Sequence, residues 1–219
     1  MIRHMKNFLT LFVLFFVAMG FAEGGHPGKD AAGFVTIFDG TSMDHLETEG
    51  NWTIADDGSL YLEPREGEEG WKRYHHYVWL KEQYGDFVFD FEYKYNEGGN
   101  SGFYFRVGDR KDPVESGFEV QILDSTGKAD AEMGHHDNGG IIKTQGASKN
   151  MTIAPGEWNR MTVTMKGNHL TVVMNGEKIQ DFDLAEKKPK EKKLHPKGFI
   201  TIQDHGDLFW IRNLRVKAL

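Results

Sequence analysis

The chain contains no cysteine. Disulfide stapling is therefore excluded, and an exported fold of this sequence must stand on its hydrophobic core. Apolar residues almost never recur at helical spacing, which argues against helix bundles and against parallel strand–helix architectures. A surplus of positive charge is missing too. The formal net charge is −7, and losing Arg3 and Lys6 with the N-terminal 22 residues would bring it to −9. Such acidity argues against nucleic acid and anionic membrane surfaces as partners. The one extended apolar run, Phe8 to Phe21, is about 14 residues long, short of the roughly 20 that a membrane span needs.

That run follows Arg3 and Lys6 and ends at Gly20 and Ala22, the small-residue positions of a signal peptidase site. Residues 1–22 thus read as a secretory signal peptide, with an uncleaved anchor as the alternative. The protein is expected to be secreted or periplasmic, with no stable membrane insertion after cleavage. Absence of a cysteine after the run argues against a lipid anchor. Residues 23–33, rich in glycine, read as a flexible leader. Residues 34–219 are of the right size for one domain.

What the chain does have is alternation. Residues 86–95 (D-F-V-F-D-F-E-Y-K-Y) put Phe87, Phe89, Phe91, Tyr93 and Tyr95 on one face and Val88, Asp90, Glu92 and Lys94 on the other. Side chains two apart on a strand share a face, so this pattern predicts a sheet buried on one side. Short strands are also predicted in N-W-T-I-A, S-L-Y-L-E, R-M-T-V-T-M, H-L-T-V-V-M, K-I-Q-D-F, G-F-I-T-I and L-F-W-I-R-N-L-R-V. Turn signals at Asp56-Asp57-Gly58, Lys166-Gly167-Asn168 and Asn175-Gly176 separate them. Ten or more short strands with regular turns predict an all-β sandwich or jelly roll. Trp52 and Trp158 are expected in the core, and the lysine-rich segment 186–193 as a solvated loop.

Two further runs carry the functional signal. In N-S-G-F-Y-F-R, Phe103 and Phe105 alternate with Tyr104 and Arg106. In F-E-V-Q-I-L-D, Phe118, Val120 and Ile122 alternate with Glu119 and Gln121. A phenol, a guanidinium, a carboxylate and an amide sharing one sheet face suit a polyhydroxylated ligand. Around that face the sequence offers Asn100, Gln203 and His205, the loop pair His135 and His136, and the cluster Trp71, Tyr74, His75 and His76, whose rings could stack on a sugar. Histidines are natural bases near neutral pH. Glu119, Asp124 and His136 would make an oxygen- and nitrogen-rich set for a divalent cation such as Ca²⁺, Mg²⁺ or Mn²⁺, although no ligand spacing is diagnostic.

Six blocks occur in order: G-F-V-T-I-F-D-G, Y-G-D-F-V-F-D-F-E-Y-K-Y, G-G-N-S-G-F-Y-F-R, F-E-V-Q-I-L-D, G-E-W-N and I-Q-D-H-G…I-R-N-L-R-V. Together, from about Gly33 to the C-terminus, they resemble the 3-keto-disaccharide (3-keto-glycoside) hydrolase domain family. The resemblance implies a concanavalin A-like, laminin G-like jelly-roll sandwich of two antiparallel sheets. It also implies an exported enzyme acting on a saccharide whose C3 is a ketone. Such a ketone acidifies the C2 hydrogen, so a base can remove it, the C1–O bond breaks by β-elimination, and water adds back. Glu119, His205 and His135 are then the catalytic candidates, and Asn100, Tyr104, Arg106, Gln121, Gln203 and Trp71 the substrate-binding ones. Two other readings stay open: a carbohydrate-binding module without chemistry, and a retaining glycosidase using Glu92 and Glu119 if their strands pair.

Overall fold

The computed structural model describes residues 25–219; the signal-peptide reading of residues 1–22 lies outside the described residues. The described chain forms thirteen strands. The first six are β1 (Val35–Phe38), β2 (Leu46–Glu47), β3 (Trp52–Ile54), β4 (Leu60–Leu62), β5 (Val78–Tyr84) and β6 (Phe87–Tyr95). They are followed by β7 (Asn100–Val107), β8 (Phe118–Leu123), β9 (Asn159–Lys166), β10 (His169–Met174), β11 (Glu177–Asp183), β12 (Gly198–Ile202) and β13 (Phe209–Ala218). Only single-turn helices interrupt them, among them α1 (Pro113–Ser116).

These strands make two antiparallel sheets. The larger has the order β11-β10-β9-β6-β13-β4-β3, with β1 also paired to β13. The smaller has the order β2-β5-β12-β7-β8. The molecule is thus the all-β jelly-roll sandwich that the spacing of strands and turns predicts. Turn chemistry behaves as read: Asn175 and Gly176 both have positive φ (46° and 93°), the geometry of a two-residue hairpin turn.

The core lies between the inner faces. Phe87, Phe89, Phe91, Tyr93 and Tyr95 of β6 are all buried. Phe103 of β7 meets Phe89 and Phe91 from the opposite sheet, with ring centroids 5.0 and 5.4 Å away. Each such ring contributes roughly 1.5–3 kcal/mol by leaving water. Because β7 and β8 commit Phe103, Phe105, Phe118, Val120 and Ile122 to this core, period-two alternation turns Tyr104, Glu119 and Gln121 to the other side.

Three expectations change. Residues 25–33 do not form a flexible leader but a strap bound to the outer face of the larger sheet. Arg160 and Arg215 donate to Pro27 O (2.7 and 2.8 Å), and Arg215 also reaches Gly28 O and Lys29 O. His26 is buried there, its Nδ1 2.8 Å from Thr162 Oγ1. Glycine content signalled freedom, whereas backbone carbonyls facing two arginines gave the segment partners. Trp158 is not in the core but lies on the outer face, covered by Arg212 and Lys94. Within the lysine-rich segment, Lys192 is buried and donates to Val114 O at 2.6 Å, while its neighbours Glu191 and Lys193 stay exposed.

Candidate active site

The core-averted face of the smaller sheet carries a cleft of about 320 Å³. Its floor is set by strand register: Tyr104 lies opposite Glu119 and Gly102 opposite Gln121 across the β7–β8 pair, and Thr201 lies opposite Tyr104 on β12. The connection after β8 folds back as a further edge. Gln121 N donates to Gly140 O and Gly139 N to Gln121 O, both at 2.8 Å, and Ile142 N donates to Glu119 O at 3.2 Å. This edge brings His136, Ile142 and Lys143 to the rim. On other sides stand Trp71, Val114 and Glu115 of α1, and His205.

Glu119 dominates the electrostatics. It is only 8% exposed, and burial pushes its carboxyl up from the ordinary range to about 7, against the opposing influence of the Tyr104 hydroxyl, Lys192 and His205. Desolvation disfavours charge, so a group held here can both accept and return a proton near neutrality. Room for the carboxylate comes from Gly102: a Cβ there would overlap Glu119 Oε1 and stand 2.9 Å from its Cδ.

Amides line up behind the carboxylate. Gln121 is satisfied when its amide nitrogen donates to Glu119 Oε1 (3.0 Å) and Ser101 O (3.2 Å), which turns its oxygen toward Asn100, 3.1 Å away. Asn100 lies 3.2 Å from His205 Nε2. With Asn100 turned to match, the row runs donor to acceptor from His205 Nε2–H through both amides to the ionised Glu119, an orientation assigned from the network itself. A second branch starts at Gln203, whose nitrogen donates to Tyr77 Oη (2.9 Å) and Tyr104 Oη (3.2 Å). Gln203 Oε1 is buried beside the cleft without a partner among the described residues.

Most of the sequence-derived site comes together: Trp71, Asn100, Tyr104, Glu119, Gln121, His136, Gln203 and His205 all line the cleft. Three candidates do not. Arg106 has a positive φ of 53° and sits where the β7–β12 register slips, a β-bulge. The bulge hands its place on the face to Val107, which packs with Tyr104. The Arg106 guanidinium instead donates to His195 O (2.6 Å) and Asp86 Oδ1 (2.9 Å). Asp124 accepts from Gly98 N and Thr126 N at the strand end, so it leaves the expected cation set. Among the described residues no three His, Asp or Glu side chains group as a metal site. His135 turns its Nδ1 to Lys143 N (3.2 Å) and is not among the cleft-lining residues.

Glu92 cannot be the second carboxylate of a retaining pair. It belongs to β6 of the larger sheet, bound to Arg212 and Asn213, whereas Glu119 belongs to the smaller sheet. The sequence reading also missed Glu115 and Lys143, paired at 3.1 Å on the rim, and the clamp below. Arg73 Nη2 donates to Asp204 Oδ1 (2.9 Å) and Arg73 Nε lies 3.1 Å from His76 Nδ1. This ties the Trp71 segment to the turn carrying His205. The block I-Q-D-H-G held Asp204 in plain view, but its partner lies 131 residues away in sequence.

Residues 33–217 match the family described as the 3-keto-alpha-glucoside-1,2-lyase-like domain. A protein of Bacteroides thetaiotaomicron named 3-keto-disaccharide hydrolase is 28% identical over 87% of this chain and 80% of its own length. The crystal structure of a candidate glycosyl hydrolase from Parabacteroides distasonis superposes with a TM-score of 0.70 at 26% identity, covering 85% of this chain and 99% of that one. A carbohydrate-binding module of Bacillus subtilis, at 10% identity and a TM-score of 0.53 over 85% of this chain and 96% of its own, shares the fold alone. With the match covering nearly the whole described chain, the protein belongs to the 3-keto-alpha-glucoside-1,2-lyase-like domain family.

Proposed function

We propose that this protein is an exported enzyme that cleaves the glycosidic bond of 3-keto-glycosides by elimination. The observation that carries the reading is a desolvated carboxyl, Glu119, with a pKa pushed up to about 7 at the floor of a cleft where amides, a phenol and imidazoles surround it. A general base works best when its pKa lies near the operating pH. In this reaction the Glu119 carboxylate takes the C2 proton and the C2–H electron pair becomes an enolate with its charge on the C3 oxygen. The C1–O bond then breaks, and the departing oxygen takes a proton. The enolate oxygen is held by the donors that the amide row leaves available, the second N–H of Asn100 and the Tyr104 hydroxyl once Glu119 has taken the proton, and His205 supplies the proton to the leaving group. Water adding to C1 of the unsaturated ketone completes a net hydrolysis, and release before that step makes the enzyme a lyase.

The relatives' names support glycosidic-bond cleavage by this chain in general, and the keto requirement rests on the site's chemistry. An ordinary glycosidase needs a second carboxylate opposite the first. Here the other cleft carboxylate, Glu115, is exposed and paired with Lys143.

The test is a matched pair of substrates, a glucoside and its 3-keto counterpart, each with protium or deuterium at C2. Cleavage confined to the keto substrate and slowed by deuterium at C2 is the expected result. Hydrolysis of the plain glucoside at a comparable rate would overturn the reading. Running the same assay with and without a chelator decides whether Ca²⁺, Mg²⁺ or Mn²⁺ assists.

A further inference from the structure

The Glu119 cleft has a neighbour on the same face. A second cleft of about 330 Å³ is lined by Lys72, Tyr74, His75, Trp79, Arg110 and Lys111. Trp79 on β5 lies opposite Thr201, which lies opposite Tyr104 on β7, so one row of the sheet runs from Trp79 to Glu119. Tyr74 and Val114 pack on the same small cluster as Tyr104 and Trp79, Val114 at the first cleft and Tyr74 at the second. Trp71 of the first cleft lies 6.1 Å from Tyr74. The two clefts therefore adjoin along an aromatic wall.

Its charge is opposite to that of the molecule. In a chain of formal charge −7, this cleft gathers two lysines, an arginine and a histidine. Arg110 stacks on Trp79 and Phe199 and pairs with Glu47. Lys72 stands 5.2 Å over the Trp71 ring, and neither Lys72 nor Lys111 is in an ion pair among the described residues. Nearby acids have other bonds: Asp109 accepts from Lys111 N, Asp112 from Glu115 N, and Glu115 from Lys143. Free ammonium groups beside aromatic walls match a carboxylate carried on a ring.

We propose that this cationic cleft binds a carboxylate-bearing leaving group, an aromatic or sugar acid joined to the keto sugar. The inference rests on the elimination reading for its direction: a keto sugar at Glu119 is terminal, so what extends into the adjoining cleft is the part released.

The experiment compares the 4-carboxyphenyl 3-keto-glucoside with its 4-(hydroxymethyl)phenyl analogue, whose leaving group has similar acidity. At low ionic strength kcat/KM should favour the carboxylate by about fivefold, the reach of two partly exposed ion pairs. That preference should fade in high salt and vanish in the Lys72→Gln/Lys111→Gln double variant, while turnover of the neutral substrate stays as in the wild type. No preference in the wild type, or an equal preference in the double variant, overturns the proposal. Equilibrium binding of the unoxidised 4-carboxyphenyl glucoside, which needs no chemistry, separates the two readings. If neither keto substrate is cleaved but this ligand binds the wild type more tightly than the double variant, elimination falls and the cationic cleft stands. Equal binding to both removes the cleft.

Discussion

At the scale of single residues, the site depends on one missing side chain. Gly102 faces Gln121 across the strand pair, and the space its Cβ would fill is taken by the Glu119 carboxylate. Gly102→Ala should leave the sandwich folded, because the obstructed atoms are the free end of a flexible side chain. It should displace Glu119 from the amide row and reduce turnover of a 3-keto-glucoside at least about tenfold, roughly 1.4 kcal/mol of barrier. Unaltered kinetics in a folded Gly102→Ala protein would show that the position of the carboxylate is irrelevant. Glu119 itself carries a sharper expectation. A base with a pKa of about 7 must be ionised to act, so kcat/KM should rise as pH increases from 5 through 7 and then level off. Glu119→Gln should abolish that rise together with most of the rate, and a pH profile unchanged by the substitution would remove Glu119 as the base.

At the scale of elements, much was legible and one strand shows why the rest was not. Alternation in β7 and β8 correctly separated the core-facing Phe103, Phe118, Val120 and Ile122 from Tyr104, Glu119 and Gln121 on the core-averted face, since the core demands apolar residues every second position. It failed at Arg106. A bulge changes the phase of a strand without changing its composition, and nothing in F-Y-F-R-V announces a left-handed arginine. The same limit applies to Asp204 and Arg73, whose pairing depends on how two distant loops meet. The Pro27 strap was misread for a related reason: its partners, Arg160 and Arg215, lie on strands far along the chain. Arg106 therefore yields a discriminating prediction. The residue is 2% exposed, and its guanidinium bridges Asp86 to the 195 loop. Arg106→Met should cost about 2 kcal/mol of stability, from the His195 carbonyl and the Asp86 carboxylate that lose their donor, and leave KM for the keto substrate unchanged. Chemical denaturation and steady-state kinetics measure the two; a raised KM at full stability would restore Arg106 to the binding site.

At the scale of the whole molecule, two buried titratable groups on opposite faces of the sandwich oppose one another. Glu119 has a raised pKa, so the folded protein holds its proton more tightly than the unfolded chain does. Stability from this group is full below about 4.5 and is lost as pH rises through 7, in all by about 3 kcal/mol. His26 works in the other sense. Thr162 Oγ1 donates to Asp90 at 2.6 Å, so His26 Nδ1–H must donate to Thr162, and Nε2 accepts from Gly176 N at 2.9 Å. A second proton on Nε2 would face that N–H directly. Burial, with Arg160 adding to it, lowers the pKa from 6.5 to about 4. Stability from His26 is therefore complete above 6.5 and is lost as pH falls toward 4, again by about 3 kcal/mol. The two slopes overlap between 4.5 and 6.5 with opposite signs, so their joint contribution is nearly flat there. Each single variant should expose the other's slope. Relative to wild type, Glu119→Gln should gain stability progressively from pH 4.5 to 8, and His26→Ala should lose more stability at pH 7 than at pH 4. Urea denaturation at a series of pH values measures both differences. A gap between Glu119→Gln and wild type that stays constant with pH would mean that the carboxyl is not desolvated in the fold, and the argument for a base poised near neutrality would go with it.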